Sequence, residues 1–183
     1  MITPKDCLVA DRSSPLAWGE IFPRAAPLAV EVGCGKGEFL SRLAQARPAW
    51  NFLGIEIRPK RAVKIAERLS REGTENARVF CAEGRAVFSR HLAGGEAREI
   101  YCNFPDPWIK RSQRWKRMLD FSLALRFSQV LAPGGTIFLA TDVADYRDQM
   151  QDTFSLIPAL VNGYGPGKFS LDGGDFSATI HEE

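Results

Sequence analysis

Leu28-Ala29-Val30-Glu31-Val32-Gly33-Cys34-Gly35-Lys36-Gly37 leads directly into Glu38-Phe39-Leu40-Ser41-Arg42-Leu43-Ala44-Gln45-Ala46. The first five residues are a short apolar strand that ends at a glycine-rich turn. Phe39, Leu40, Leu43 and Ala44 then recur at helical spacing, and Pro48 closes the helix. The same alternation continues outward. Phe52 to Ile57 is a second strand, and Pro59 opens a helix to about Arg71 whose apolar face is Ala62, Val63, Ile65, Ala66 and Leu69. Gly73 ends that helix. Ala77 to Cys81, Glu99 to Asn103 and Thr136 to Ala140 are the third to fifth strands. Helices are predicted over Ala86 to His91, Lys116 to Val130 and Val143 to Phe154. Strands joined by helical crossovers give an α/β fold with a mostly parallel central sheet and helices on both faces.

At 183 residues the chain suits one domain with a sizeable core and is too short for two. Residues 28–155 form the core, 1–27 an N-terminal arm, and 156–183 an irregular or incomplete C-terminal part in which no element is predicted. No apolar run approaches the roughly 18 residues of a membrane span, and the N-terminus has no signal-peptide core. Cys7, Cys34, Cys81 and Cys102 are scattered without metal-ligand spacing, which points to a reduced, cytoplasmic protein without a bound metal. Cys34 and Cys102 read as small packing residues. His91 is predicted at the surface and forms no catalytic pair with His181.

In an open parallel sheet, ligands bind beyond the carboxyl ends of the strands where the chain order reverses. Gly33, Gly35 and Gly37 stand at the first such end. Their spacing is neither the dinucleotide G-x-G-x-x-G nor a P-loop, since no Ser or Thr follows a Gly-Lys pair. Glu56, about twenty residues on at the end of the second strand, is placed to accept the hydrogens of two ribose hydroxyls. Glu83, after the third strand, is a candidate for an adenine amino group. Glu31 either bonds donors of the loop backbone or approaches a cationic cofactor. Asn103, at the end of the fourth strand, is counted with these cofactor-binding residues.

A net charge of +2 is too small to argue for nucleic acid, so the distribution of charge has to decide. Arg58 to Arg71 carries six cations and reads as a solvated helix face. Asn103-Phe104-Pro105-Asp106-Pro107-Trp108 is followed by Ile109-Lys110-Arg111-Ser112-Gln113-Arg114-Trp115-Lys116-Arg117. The two prolines hold Asp106 in extended or turned backbone. The segment after it holds no acid and interleaves Trp108 and Trp115 with cations, which favours contact with RNA. Lys110, Arg111, Arg114, Lys116 and Arg117 would grip phosphates. Trp108 either stacks on a base or plugs the end of the sheet.

Glu31 to Gly37, Phe52-Leu53-Gly54-Ile55-Glu56, Phe104 to Trp108, and Ala140-Thr141-Asp142 with Tyr146 resemble the bacterial tRNA (guanine-N7)-methyltransferase family. The resemblance covers roughly residues 15 to 155, and its Phe-Pro-Asp-Pro-Trp run is the selective part. It implies a Rossmann-like class I methyltransferase fold, S-adenosyl-L-methionine as cofactor, and the variable-loop guanosine of tRNA (position 46) as target. Under it Asp106 is the catalytic candidate and binds substrate with Trp108, Lys110, Arg111, Arg114, Asp142, Thr179 and Glu182. Asp142 can equally be a helix N-cap with Asp145. Two departures stand out. Gln113, Trp115, Lys116 and Arg117 replace a histidine and a Lys-Arg-Arg run, and Thr179-Ile180-His181-Glu182 matches a late Thr-x-x-Glu motif after which the family adds an arginine and a final strand. Two alternatives follow: a catalytically weak RNA-binding or partner-binding protein on this fold, or a methyltransferase for a small molecule or protein. A homodimer is compatible with the sequence.

Overall fold

The computed structural model describes residues 2–9, 16–171 and 179–182. In chain order the elements are Pro4–Cys7 (α1), Leu8–Val9 (β1), Trp18–Ile21 (α2), Leu28–Val32 (β2), Glu38–Ala46 (α3), Asn51–Ile55 (β3), Pro59–Arg71 (α4), Ala77–Phe80 (β4), Gly84–Arg90 (α5) and Ala97–Asn103 (β5). A 3-10 helix over Arg111–Lys116 follows, then Phe121–Val130 (α6), Leu131–Ala140 (β6), Ala144–Ser155 (α7), Leu160–Asn162 (β7) and Thr179–Glu182 (β8).

One sheet holds the strands in the order β1-β4-β3-β2-β5-β6-β8-β7. The first six are mutually parallel, whereas β8 runs antiparallel to both β6 and β7. From β2 the chain builds outward through β3 and β4 on one side, and through β5 and β6 on the other. The order therefore reverses between β2 and β5, which makes their carboxyl ends the switch point where open parallel sheets bind ligands.

The pleat of β2 divides its side chains between two cores. Val30 and Val32 face Phe88, Phe127, Tyr146 and Phe154 of α5, α6 and α7. Ala29 faces Leu40, Ala44, Ile65 and Leu69 of α3 and α4. Gly54 is where α3 presses closest on the sheet, since a methyl group there would come within 2.6 Å of Leu40 Cδ2 and 2.9 Å of Cys34 Sγ.

Several sequence expectations are corrected. Val63 is exposed, and Ala62, Ile65, Ala66 and Leu69 alone face the core from α4. His91 is buried, its ring edge-on to Phe80 at 5.0 Å between centroids. The helix predicted from Lys116 begins at Phe121, because Asp120 accepts the Leu123 N–H at 3.0 Å and caps it. The Leu119 N–H meanwhile donates to the Tyr146 hydroxyl at 3.2 Å, so the chain is not helical there. The strand expected from Thr136 starts at Leu131, with a register shift against β5 taking up the proline-glycine turn. Beyond residue 156, where nothing was predicted, β7 and the backbone of β8 extend the sheet.

Candidate active site

The glycine turn is drawn tightly across the end of β3. Gly33 and Cys34 both donate to the Ile55 carbonyl, at 2.8 and 3.2 Å, and Gly37 donates to the Cys34 carbonyl at 2.7 Å. Gly33, Gly35 and Gly37 have φ of 76°, 56° and 70°, left-handed values that a side chain disfavours. At Gly37 a methyl group would also strike Ile65 at 2.8 Å. Glu56 is only 4% exposed and locks this turn: one oxygen accepts the Gly35 N–H at 3.1 Å, the other the Arg58 N–H at 2.9 Å. Each oxygen keeps a lone pair for a hydroxyl hydrogen. Glu56 thus bonds the backbone of the turn itself, while Glu31 meets the Leu40 backbone in the first turn of α3.

Glu31 sits one residue before the end of β2, and Asn103 at the end of the neighbouring β5. One Glu31 oxygen and both polar atoms of the Asn103 amide are buried without a hydrogen-bond partner. Burial raises the Glu31 carboxyl to about 8, against a smaller lowering by the Leu40 backbone and by the Asn103 amide, which lies close to it but outside good hydrogen-bond geometry. Buried polar atoms without partners are rare in folded proteins, and three of them meet here at the switch point. A ligand bringing a cation and hydrogen-bonding groups to these strand ends would satisfy them. Burial likewise pushes the Cys34 thiol up and that of Cys102 to about 12, consistent with packing residues rather than nucleophiles.

Asp106 lies on a backbone clamped at both ends. Phe104 and Trp108 have φ of 49° and 40°, the sole left-handed non-glycine residues described. Each costs roughly 1–3 kcal/mol and persists only where surrounding contacts impose it. The Phe104 N–H donates to the Ala140 carbonyl at 2.8 Å. At the other end Arg117 Nε donates to the Pro107 carbonyl at 2.8 Å. The Asp106 side chain itself is exposed, beyond the end of β5.

Arg117 was expected to hold phosphate, and the structure corrects this. Its side chain is 2% exposed, donates to Gln149 at 2.7 Å and Asp145 at 2.8 Å, and lies over the Tyr146 ring at 4.5 Å. Arg114, half-exposed, shares Asp145 at 2.7 Å. Lys110 and Arg111 point to solvent, and the Lys116 ammonium sits over the Trp108 ring at 4.7 Å. Hydrogen bonds from Arg117, with the charges of both arginines, hold the Asp145 carboxylate below its usual range.

A family model described as "Putative methyltransferase" matches residues 25–164. The tRNA (guanine-N(7)-)-methyltransferase of Geobacter metallireducens is 32% identical over 157 residues, covering 86% of this chain and 74% of that protein. The tRNA (guanine-N(7)-)-methyltransferase of Methylococcus capsulatus is 36% identical over 150 residues, covering 82% and 65%. The chain belongs to the tRNA (guanine-N7)-methyltransferase family. It spans about two thirds to three quarters of the length of these two relatives. A solved S-adenosylmethionine-dependent methyltransferase from Aquifex aeolicus shares the fold, with a TM-score of 0.55 at 13% identity over 75% of this chain and 73% of that one.

Within this tRNA (guanine-N7)-methyltransferase family member, the remaining expected site residues fall in four groups. Glu83 caps α5, accepting the Arg85 and Ala86 N–H groups at 3.1 and 2.9 Å, and keeps an exposed carboxylate at the rim. Asp142 is exposed at the end of β6 and is not a cap: Val143 holds the N-cap position of α7, and its N–H donates to Thr141 Oγ at 3.2 Å. Trp108 is half-buried. Thr179 and Glu182 lie on β8, whose backbone pairs with β6, while their side chains fall outside the described residues. Sequence reasoning read Asp145 only as a capping partner and missed that it and Gln149 together pair with Arg117. Their spacing of four on one face of α7 was the available signal, but nothing local said which arginine they receive.

Proposed function

We propose that this protein transfers a methyl group from S-adenosyl-L-methionine to N7 of guanine in tRNA, at the variable-loop guanosine 46, in the cytoplasm. The observation that carries the reading is the meeting of buried, unsatisfied polar atoms at the switch point between β2 and β5. Glu31 lies near the end of β2, which leads into the glycine turn, and Asn103 at the end of β5, from which the clamped Asp106 loop departs. S-adenosyl-L-methionine supplies an electrophilic methyl group on a sulfonium. The glycine turn offers bare backbone, Glu56 would receive the ribose hydroxyls, Glu83 an adenine amino group, and Glu31 with Asn103 the cationic amino-acid portion.

Guanine N7 has an in-plane lone pair and no proton to lose, so no strong base is required. The protein must hold N7 in line with the methyl carbon and exclude water. Positive charge grows on the purine during transfer. A carboxylate accepting hydrogens from the Watson–Crick edge of guanine both selects that base and stabilises the growing charge. Asp106 has the exposure for this task, and its backbone is fixed from both sides. Asp142, also exposed, would contribute to holding guanine or the RNA backbone. Lys110 and Arg111 would meet phosphates.

The test is methyl transfer from labelled S-adenosyl-L-methionine to unmodified tRNA, with the product nucleoside identified and a guanosine-to-adenosine change at position 46 as control. Label recovered as 7-methylguanosine, and lost in the control, is the expected result. Cofactor and tRNA binding without label would favour a binding-only role.

A further inference from the structure

Trp115 is 79% exposed, while the other three tryptophans, Trp18, Trp50 and Trp108, are half-buried. It does not hang on a loose loop. The 3-10 helix that carries it is closed by the Gln113 N–H to Lys110 carbonyl and Arg117 N–H to Arg114 carbonyl bonds, at 2.8 and 3.0 Å. Two residues further on, buried Arg117 pins the segment to α7. The indole is therefore presented to solvent on a rigid support. Packing inside the protein gives no reason for a large aromatic surface at this point.

Its surroundings say what would cover it. The Lys116 ammonium lies 4.7 Å from the Trp108 ring and 5.5 Å from the Trp115 ring, so one cation bridges the two indoles. Lys110 and Arg111 are exposed on the same short segment, and Ile109 adds a 67% exposed apolar side chain. An aromatic face set beside the exposed cations Lys110 and Arg111 suits a nucleobase with its phosphate, since every base offers a π-face and every nucleotide a negative charge. A second copy of the chain would instead bring a like-charged segment against this one.

We infer that Trp115 is a stacking platform for an unpaired nucleobase of the RNA beside the target guanine, an inference that rests on the tRNA reading above. The platform adds affinity that tolerates different bases and does not depend on salt. The neighbouring cations supply the salt-dependent part.

The test measures binding of unmodified tRNA across a salt series by the wild type, Trp115→Ala, Trp115→Phe and Lys110→Ala. Trp115→Ala is expected to raise Kd about 5- to 150-fold at every salt concentration. Its log–log salt slope should stay parallel to that of the wild type. Trp115→Phe should recover most of the loss, and Lys110→Ala should flatten the slope by about one phosphate contact. The melting temperature of Trp115→Ala should match the wild type, because the side chain is exposed.

Three results would overturn the inference: an unchanged Kd in Trp115→Ala, a flattened slope in that variant, or its conversion of a wild-type dimer into a monomer. The second would mean that Trp115 acts by placing Lys116 on a phosphate, and the third that it faces another copy. A wild type that methylates tRNA beside an unaffected Trp115→Ala refutes the platform alone. A wild type that neither binds nor methylates tRNA refutes both readings.

Discussion

Glu31→Gln should make the protein without cofactor more stable at neutral pH while weakening its hold on the cofactor. The Glu31 carboxyl is raised to about 8 from 4.5, chiefly by burial. Between those values the folded chain keeps a proton that the unfolded chain releases. Stability is thus fully present below the unfolded value and falls as pH rises toward 8, by about 1.4 kcal/mol per pH unit. At pH 7 the accumulated cost is about 3 kcal/mol. For a domain of this size that corresponds to roughly 6–12 °C in Tm.

Glutamine keeps the shape of the side chain and removes the ionisation. Thermal unfolding of both proteins from pH 5 to pH 8 is the assay. The gap in Tm between variant and wild type should widen steadily in favour of the variant as pH rises. Any fixed offset from the buried amide cancels in that comparison. Cofactor affinity of the wild type should rise over the same window, because a cationic ligand favours the ionised carboxylate, and this rise should vanish in Glu31→Gln. Parallel Tm profiles would refute the reasoning, for they would mean that the Glu31 carboxyl titrates alike in folded and unfolded chains.

Asp106→Asn should lower turnover by about 10²- to 10³-fold with nearly unchanged cofactor binding, read by single-turnover methylation and calorimetry. Arg117→Met should cost about 3 kcal/mol from the lost charge-assisted bonds to Pro107 and Gln149 alone, seen in denaturant unfolding. It should also depress turnover by freeing the Asp106 loop, and Arg117→Lys should restore little of either. The slope of log affinity for tRNA against log salt should reflect Lys110 and Arg111, about −1.4 to −1.8, rather than all five cations of the segment.

The core of the fold was legible because its signals are local. The boundaries of β2, α3 and α4 follow from an apolar run, a 3.6-residue periodicity, and prolines or glycines at the ends, all readable within a few residues. The start of α6 was misread because the polar stretch before it has helical composition, while its conformation is decided from afar. The Tyr146 hydroxyl takes the Leu119 N–H, and Arg117 turns inward to α7. His91 was misread for the same reason, since Phe80 at the end of β4 packs against it. In the site, the glycine turn and Glu56 were legible as a spacing. The partnerless atoms of Glu31 and Asn103 were not, because they arise only when β2 and β5 lie side by side.

The basic segment shows why a count of charges misstates a nucleic-acid surface. Five cations follow Trp108 in sequence, but the fold gives them different tasks. Arg117 is spent inside the protein, fixing the Pro107 carbonyl and so one end of the Asp106 loop. Arg114 is held by Asp145, which also serves Arg117, so any phosphate must compete with that carboxylate for it. Lys116 rests against two indoles, and Lys110 and Arg111 alone face water without such contacts. Backbone strain at Phe104 and Trp108 is sustained by the same inward contacts. Loss of Arg117 would therefore reach the chemistry through the geometry of Asp106, and loss of Lys110 through affinity alone. Two neighbouring cations of the same charge would then give opposite signatures in kcat and in salt dependence.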